Sequence, residues 1–318
     1  MQIEILSPGI LSLIQDAGRF GQHGIGLTSG GPMDPVAFKW ANRLLNNDQN
    51  ATAIETTVGG LKIRSHGPTR VAITGASVAV KINGQQCKQW QSLDLSSGDE
   101  LELGYATSGC RIYLAVAGGF KIEKQFSSNS TVVREGVGGL TGKPLLKGDK
   151  LNCHALISHS DPHQSLPIKQ QPEYSDAVTL RVIPGYQQAH FSKQEQSRFF
   201  QNEFKVSELC DRMGYRLTGP QVKCDIEGIL SEGICLGAIQ VPKDGQPIIL
   251  MNDRQTIGGY PKMGSVLSLD LAKLSQLTQG GCVKFEAITI DDAHNLLALA
   301  QHKFENTEIE NSHAEPVA

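Results

Sequence analysis

Four short stretches of the sequence combine glycine with charged side chains, a composition typical of loops that hold small molecules. They are residues 15–19, 30–34, 210–216 and 252–262. Carboxylates in such loops can transfer protons or face magnesium, and an arginine can bind two oxygens of a carboxylate or phosphate. These stretches are therefore the candidate sites for chemistry.

Two of the stretches have two interpretations each. Gly30 and Gly31 precede a predicted helix, where free main-chain N–H groups and the helix dipole favour an anion. The glycines could equally make only a turn, with Asp34 as a helix cap. Asp211 and Arg212 could form a surface ion pair, or the aspartate could orient the arginine toward an anionic ligand. The residues alone leave both questions open.

The elements around these loops are predicted to be mostly short strands. The sequence has 34 glycines in 318 residues, about 11% against a typical 7% or so, which favours turns over long helices. Alternating apolar patterns predict strands at 178–183, 205–209, 247–251 and 266–269. An apolar stripe predicts a helix over 34–47, with Asp34 as cap, Pro35 in the first turn and Trp40 in the core. A similar stripe predicts a second helix over about 291–300.

Several classes of protein are excluded by composition and motif. The 29 basic and 32 acidic residues give a net charge of −3, which argues against a nucleic-acid binder. The sequence contains no apolar run of about 18 residues, no secretory signal and no phosphate-binding P-loop. The seven cysteines form no C-x-x-C pair, which argues against zinc and redox sites. We therefore expect a cytoplasmic protein that does not contact membranes or nucleic acid.

A polar stretch with three prolines divides the chain. It predicts an N-terminal domain over 1–158, a linker over 159–176 and a C-terminal domain over 177–302. The regular spacing of short strands and glycines favours closed barrels or sandwiches for these domains. Residues 303–318 are expected to be a mobile tail.

Ordered motifs across nearly the whole chain resemble one family. The sequence is similar to the allophanate hydrolase subunit 2 (AHS2) family of biotin-dependent carboxyltransferase-like proteins. The matching segments include Gly18-Arg19, Gly30-Gly-Pro-Met-Asp34, Asp211-Arg-Met-Gly-Tyr-Arg216, Ser231-Glu-Gly233, Gly237-Ala-Ile-Gln-Val-Pro242 and Asp253-Arg-Gln-Thr256. No single segment is specific, but their joint order and spacing are.

The resemblance implies a mainly β fold, with two cyclophilin-like β-barrel domains and a few short helices. It also implies one component of an ATP-dependent 5-oxoprolinase, which opens 5-oxoproline to glutamate together with a kinase-inhibitor-like partner and a LamB/YcsF-type partner. We expect no fused carboxylase or amidase parts in a chain of 318 residues. Two alternatives remain: a biotin-dependent carboxyltransferase component of the urea amidolyase type, and a non-catalytic regulator that binds the kinase-inhibitor-like partner.

The site residues implied by this resemblance come from the four stretches and from the segment 237–242, which precedes the fourth stretch. ATP with magnesium is expected to be bound by the complex, and no metal site is expected in this chain. The expected catalytic residues are Asp16, Arg19, Asp211, Arg212, Asp253 and Arg254. The expected substrate-binding residues are Gln15, Gly30, Gly31, Met33, Gln240, Gln255, Thr256 and Tyr260.

Overall fold

The computed structural model describes residues 1–154 and 162–312, and it is mainly β. The chain divides into two compact units. The first comprises Met1–Phe20, Gly30–Tyr174 and the residues from Thr307 onward. The second comprises Gly21–Ser29 and Ser175–Asn306. No helix in the described part of the chain is both long enough and apolar enough to cross a membrane.

Short strands alternate with turns along both halves. The elements up to Tyr174 are β1 (Gln2–Pro8), β2 (Leu11–Gln15), α1 (Pro35–Arg43), β3 (Ala53–Thr57), β4 (Leu61–Ser65), β5 (Thr69–Ser77), β6 (Val80–Ile82), β7 (Gln85–Cys87), β8 (Ser92–Leu95), β9 (Glu100–Leu103), β10 (Ser108–Val116), β11 (Lys150–Asn152) and β12 (His163–Ser165). The later elements are β13 (Ala177–Pro184), α2 (Lys193–Gln201), β14 (Phe204–Cys210), β15 (Gly214–Thr218), β16 (Glu232–Gly233), β17 (Ala238–Gln240), β18 (Ile248–Leu250), β19 (Ile257–Gly258), β20 (Lys262–Val266), α3 (Ser268–Ser275), β21 (Cys282–Ala287), α4 (Ile290–Asn306) and β22 (Glu310–Ser312). Short 3-10 helices lie at His23–Ile25, Val133–Glu135, Ile168–Gln170 and Tyr186–His190.

The first unit is built on two β-sheets. One has six strands in the order β11-β1-β4-β9-β6-β7, and the other has five in the order β2-β3-β10-β5-β8. Inward-facing residues of both sheets, such as Ile5, Ile63 and Ile112, form one buried hydrophobic cluster. Burial of such side chains is the main stabilising contribution to a fold of this size.

Helix α1 begins where the sequence predicts. The Asp34 carboxylate accepts hydrogen bonds from the N–H groups of Val36 and Ala37, and Pro35 occupies the first turn. Trp40 is buried, which confirms it as a core residue. The helix ends at Arg43 rather than near residue 47, because the backbone leaves the helical region at Asn46, whose φ is +53°. The Asp34 carboxylate therefore binds two N–H groups of the first turn that could otherwise donate to a ligand.

The second unit contains a closed barrel of seven strands. Their order is β13-β20-β17-β18-β15-β14-β21, and only the closing pair, β13 and β21, is parallel among the pairings described. Phe199 of α2 stacks on Phe285 of β21 at 4.2 Å between ring centroids. The mainly β prediction with a β-barrel and a few helices is confirmed.

One predicted strand is wrong. The pattern at 266–269 predicts a strand, but β20 ends at Val266 and α3 begins at Ser268. Asp270 of this helix points into the unit and is fully buried, and its carboxylate binds the Arg181 guanidinium at 2.6 and 2.8 Å. Because the charged Asp270 takes a position on the inner face of α3, the apolar stripe that is typical of a helix is interrupted in the sequence.

The segment joining the two units has some regular structure. Strand β12, within the predicted linker, pairs with β22 in the first unit. The division between the units falls between Tyr174 and Ser175, and α4 continues through residues 303–306. Residues 159–161 of the predicted linker and 313–318 of the predicted tail lie outside the described residues.

Candidate functional site

In the first unit, Asp16 is a buried anchor for a loop. Its carboxylate accepts hydrogen bonds from the Gly18 N–H at 3.0 Å and from the hydroxyls of Ser128 and Ser130 at 2.6 and 2.7 Å. A fourth comes from the Asn129 N–H at 2.7 Å. Three of these donors bind Oδ1 and one binds Oδ2, so both oxygens of the carboxylate have partners within the protein. The carboxylate therefore fastens residues 128–130 to the end of β2.

Arg19 and Gln15 support the same loop. Arg19 has no exposed surface and donates to the carbonyls of Gln125 and Ser130, both at 3.1 Å. Gln15 donates to the Thr131 carbonyl and accepts from the Gly31 N–H, again at 3.1 Å. The structure thus brings these two predicted site residues together with Asp16 around residues 125–131.

The main-chain N–H groups before α1 donate to side chains of the protein itself, that of Gly31 to Gln15 as described above. Gly31, with φ +89°, approaches residue 17 so closely that a Cβ would lie 3.0 Å from its carbonyl oxygen. The Met33 N–H donates to Glu55 at 2.8 Å, and the Asp34 N–H donates to the Tyr113 hydroxyl at 2.7 Å. The Met33 side chain is buried. The carboxylates of Asp34 and Glu55 thus fill the position near the helix dipole that an anion would otherwise take.

The Tyr113 hydroxyl lies at the centre of this network. It donates to Glu55 at 2.7 Å. Burial, followed by the nearby charges of Glu55 and Asp34, raises the pKa of Tyr113 well above its usual value of 10. The phenol therefore stays protonated in the folded protein at pH values at which an unfolded tyrosine ionises.

Tyr113→Phe should change how stability depends on pH. In the wild type this group stabilises the fold fully below about pH 10, and the contribution is lost as pH rises beyond that value. The variant should be about 1–3 kcal/mol less stable at neutral pH but should lose less stability between neutral pH and pH 11. Urea unfolding across this range measures both effects. Equal pH slopes for the two proteins would contradict the assignment.

In the second unit, Arg212 and Asp253 form a buried ion pair. The guanidinium donates twice to the carboxylate, both times at 2.9 Å, and both side chains are about 7% exposed. The Asp253 N–H also donates to the Arg212 carbonyl at 2.8 Å. This fork-shaped contact holds the loop after β14 against the loop after β18. The structure differs from both interpretations of Arg212, because the guanidinium is bound to Asp253 inside the unit and the Asp211 carboxylate is bound to the main chain.

Asp211 shapes the turn between β14 and β15. Its carboxylate accepts from the N–H groups of Met213 and Gly214 at 2.7 and 3.1 Å. This is an Asx-type turn, in which a short acidic side chain bonds the main chain two and three residues on.

Five predicted residues of the second half line one cavity of about 490 Å³. That volume is within the range usual for small-molecule sites. Thr256, Arg212 and Asp253 are not among its lining residues. The polar residues that line it are Glu208, Cys210, Asp211, Arg216, Gln240, Arg254, Gln255 and Tyr260, and the apolar ones include Leu209, Met213, Ile234, Ile248 and Leu250.

Arg254 is the most tightly positioned cation of this cavity. It is 6% exposed and donates to the carbonyls of Ile234 and Met251 at 3.1 and 3.4 Å. Burial lowers the pKa of its guanidinium from the usual value. Gly258 packs closely against two residues of the cavity wall, because a Cβ there would come within 2.4 Å of the Ile234 side chain and 2.9 Å of the Gln240 amide.

Sequence reasoning missed Arg216 as a cavity residue. It lies on β15 and pairs with Asp244. Its place at the end of the 211–216 motif is the signal that could have identified it. Beside the carboxylates of Glu208 and Asp211, the cavity has the guanidinium of Arg254, the amides of Gln240 and Gln255 and the Tyr260 ring. Such a set fits a small carboxylate that also carries an amide.

Comparison with known proteins establishes the family. A family model described as the carboxyltransferase domain, subdomains A and B, matches residues 25–287, and the chain belongs to this family. The family resemblance expected from the motifs is thereby confirmed.

Two relatives match over almost their full length. The chain is 34% identical over 299 residues to the C subunit of 5-oxoprolinase from Haemophilus influenzae, covering 92% of this chain and 94% of the relative. It is 33% identical over 304 residues to the C subunit of 5-oxoprolinase from Escherichia coli, covering 95% of this chain and 96% of the relative.

A solved structure shares the fold over almost the whole chain. The K. lactis urea amidolyase superposes with a TM-score of 0.90 and 29% identity over 99% of this chain. The match covers 20% of that much longer enzyme, so this chain corresponds to one part of it.

Proposed function

We propose that this chain is the C subunit of a 5-oxoprolinase, which opens the lactam ring of 5-oxoproline to give glutamate at the expense of ATP. The observation that carries the proposal is the cavity that gathers Arg254, Gln240, Gln255 and Tyr260 in the second unit. The near-complete match to two 5-oxoprolinase C subunits supports it. The chain would act with a kinase-inhibitor-like B subunit and a LamB/YcsF-type A subunit.

The cavity residues suit the two polar ends of 5-oxoproline. Arg254 would bind the substrate carboxylate, because its guanidinium is fixed by main-chain carbonyls and needs no reorganisation. Gln240 and Gln255 offer an amide to the lactam N–H and C=O, and Tyr260 offers a ring and a hydroxyl. Asp211 is the candidate for proton transfer in this cavity.

The other expected catalytic residues take positioning roles in this proposal. Asp16 and Arg19 would hold the loop over 125–131, and the Arg212–Asp253 pair would hold the two loops that carry Asp211 and Arg254. Buried networks of this kind restrict the positions of the loops that they join.

No residue of this chain is assigned to ATP or magnesium. Within residues 1–154 and 162–312, no group of three or more histidine, cysteine, aspartate or glutamate side chains could hold a metal ion. Arg216, the other cavity arginine, is already paired with Asp244. We propose that the partner proteins bind the nucleotide.

The proposal is tested by reconstitution. The three purified proteins together should release ADP in a reaction that depends on 5-oxoproline, and omission of this chain should abolish it. Serum albumin at the same concentration, added in place of this chain, is the control for non-specific stabilisation. An unchanged rate of ADP release without this chain would refute the proposal.

The second candidate is a carboxyltransferase that accepts the carboxyl group from a biotin carrier on another protein. The family description and the likeness to urea amidolyase favour it. It predicts that carboxybiotin loses its carboxyl group to urea when this chain is added. Absence of transfer from free and protein-bound carboxybiotin would eliminate this candidate.

A further inference from the structure

Two short strands of the second unit, β16 and β19, pair with each other outside the closed barrel. Glu232 is paired with Gly258, and main-chain hydrogen bonds of 2.8 and 3.0 Å on either side extend the pairing. We call residues 229–234 and 256–259 the ribbon. All of them are described, and Ile234 alone among them is buried. Segments with so few buried contacts open locally at a low cost in free energy.

The ribbon borders two cavities. Ile234 lines the cavity around Arg254, whereas Glu232 and Gly233 line another cavity, of about 390 Å³. The two cavities have no lining residue in common. Because open space lies beside these residues, polar contacts rather than close packing must hold the ribbon in position.

Glu232 makes the polar contacts that tie the ribbon to the barrel. Its carboxylate accepts from the Lys262 ammonium, from the Tyr186 hydroxyl and from the Gln187 amide, the last at 3.0 Å. Lys262 begins the barrel strand β20, and its main-chain N–H donates to Gln187 at 2.8 Å. Hydrogen bonds from Lys262 and then from Tyr186 lower the pKa of Glu232, which is therefore a carboxylate at neutral pH. Charge-assisted hydrogen bonds of this kind are about twice as strong as neutral ones.

A weaker contact lies just beyond the ribbon. The Cys235 thiol is 3.0 Å from the Ser265 hydroxyl of β20. Since a thiol is a weak donor and a weak acceptor, this contact cannot replace the Glu232 network.

The ribbon in turn holds the cation of the first cavity. The Ile234 carbonyl accepts from Nε of Arg254 at 3.1 Å, whereas the other described hydrogen bond of this guanidinium, to the Met251 carbonyl, is longer at 3.4 Å. Movement of the ribbon would withdraw the Ile234 carbonyl and leave only the longer of these two contacts. The orientation of Arg254 therefore depends on the position of the ribbon.

We propose that Glu232 is a positioning residue, which latches the ribbon to the barrel and thereby holds the Ile234 carbonyl against Arg254. The inference deepens the proposed function, and it rests on that function only in treating the Arg254 cavity as the substrate site. Glu232 lines the other cavity, so it acts on the substrate site through the ribbon.

Hydrogen exchange of the purified full chain tests the latch without any partner protein. NMR with labelled arginine gives the rate at which the Arg254 Nε–H exchanges with water, and the loss of this signal in Arg254→Gln assigns it. Glu232→Gln should raise the rate about tenfold, because the charge-assisted contacts of the ribbon are lost. The main-chain N–H of Ile234, which donates to the Thr256 carbonyl, should exchange faster by the same factor.

The barrel supplies internal controls for unfolding. The N–H groups of Val206 and Leu217 donate to carbonyls at 2.9 and 2.8 Å, and both residues are buried. Their exchange rates in Glu232→Gln should equal those of the wild type. Glu203→Gln, at the exposed pair with Lys284, should change neither the ribbon nor the barrel rates.

Either of two exchange results would overturn the proposal. One is an unchanged rate at both Arg254 and Ile234 in Glu232→Gln. The other is equal acceleration in the ribbon and in the barrel, since that is the result of global destabilisation rather than of a released latch.

The assembled complex gives a second readout. Glu232→Gln should raise KM for 5-oxoproline about threefold and leave kcat nearly unchanged, because a smaller fraction of the protein has Arg254 in the binding orientation. An unchanged KM would also count against the positioning role. If the wild-type complex does not convert 5-oxoproline, the proposed function fails, and the exchange rates of the free chain still decide whether Glu232 positions Arg254.

Discussion

Replacement of Arg254 by glutamine should lower kcat/KM of the assembled complex for 5-oxoproline by about a hundredfold, mainly through a higher KM. The variant removes the cation that faces the substrate carboxylate but keeps hydrogen-bonding capacity near the Ile234 carbonyl. Truncation of one partner of a buried charged contact costs about 2–5 kcal/mol, which spans this factor. Steady-state ADP release at varied 5-oxoproline measures the effect.

Arg198→Gln is the matched control for this variant. Arg198 also donates to a main-chain carbonyl, that of Gln221 at 3.2 Å, and pairs with Glu195, but it does not line the cavity. Its replacement should leave KM unchanged. A KM for Arg254→Gln within twofold of the wild-type value would contradict the role given to Arg254.

Breaking the Arg212–Asp253 pair should cause the largest loss of stability. Asp253→Leu leaves the buried Arg212 charge without its carboxylate, which costs about 3–5 kcal/mol. The double variant Arg212→Met/Asp253→Leu should recover most of this loss, because two apolar side chains of similar volume leave no charge uncompensated. Urea unfolding of the two single variants, the double variant and the wild type gives the coupling free energy.

An exposed pair in the same unit gives the comparison. Glu203→Gln at the Lys284 pair should cost no more than about 1 kcal/mol, since solvent screens such contacts. If Asp253→Leu cost as little as Glu203→Gln, the Arg212–Asp253 pair would not hold its two loops together.

The parts of the fold that were predicted correctly are those fixed by local sequence. The cap at Asp34, the proline beside it and the apolar stripe through Trp40 all lie within a few residues of each other. Helix α3 was missed because its buried Asp270 depends on Arg181, which is far away in sequence. A contact of that kind leaves no periodic signal.

The same distinction holds for the site. Gln240 ends β17, and the residues Arg254, Gln255 and Tyr260 come soon after β18. The antiparallel pairing of β17 with β18 therefore brings together residues that the motifs had already indicated. Apart from Gly18, the residues described above as hydrogen-bonded to the side chains of Asp16 and Arg19 lie more than 100 residues away. The sequence could therefore show that these two residues are polar but not that they are buried.

The most direct test of the account is the amount of glutamate formed from 5-oxoproline and ATP by the three proteins of the complex, with and without this chain. If this chain is the C subunit, glutamate and ADP should form in equal amounts when the chain is present, and no glutamate should form when it is omitted. Equal glutamate formation in its absence would contradict the account.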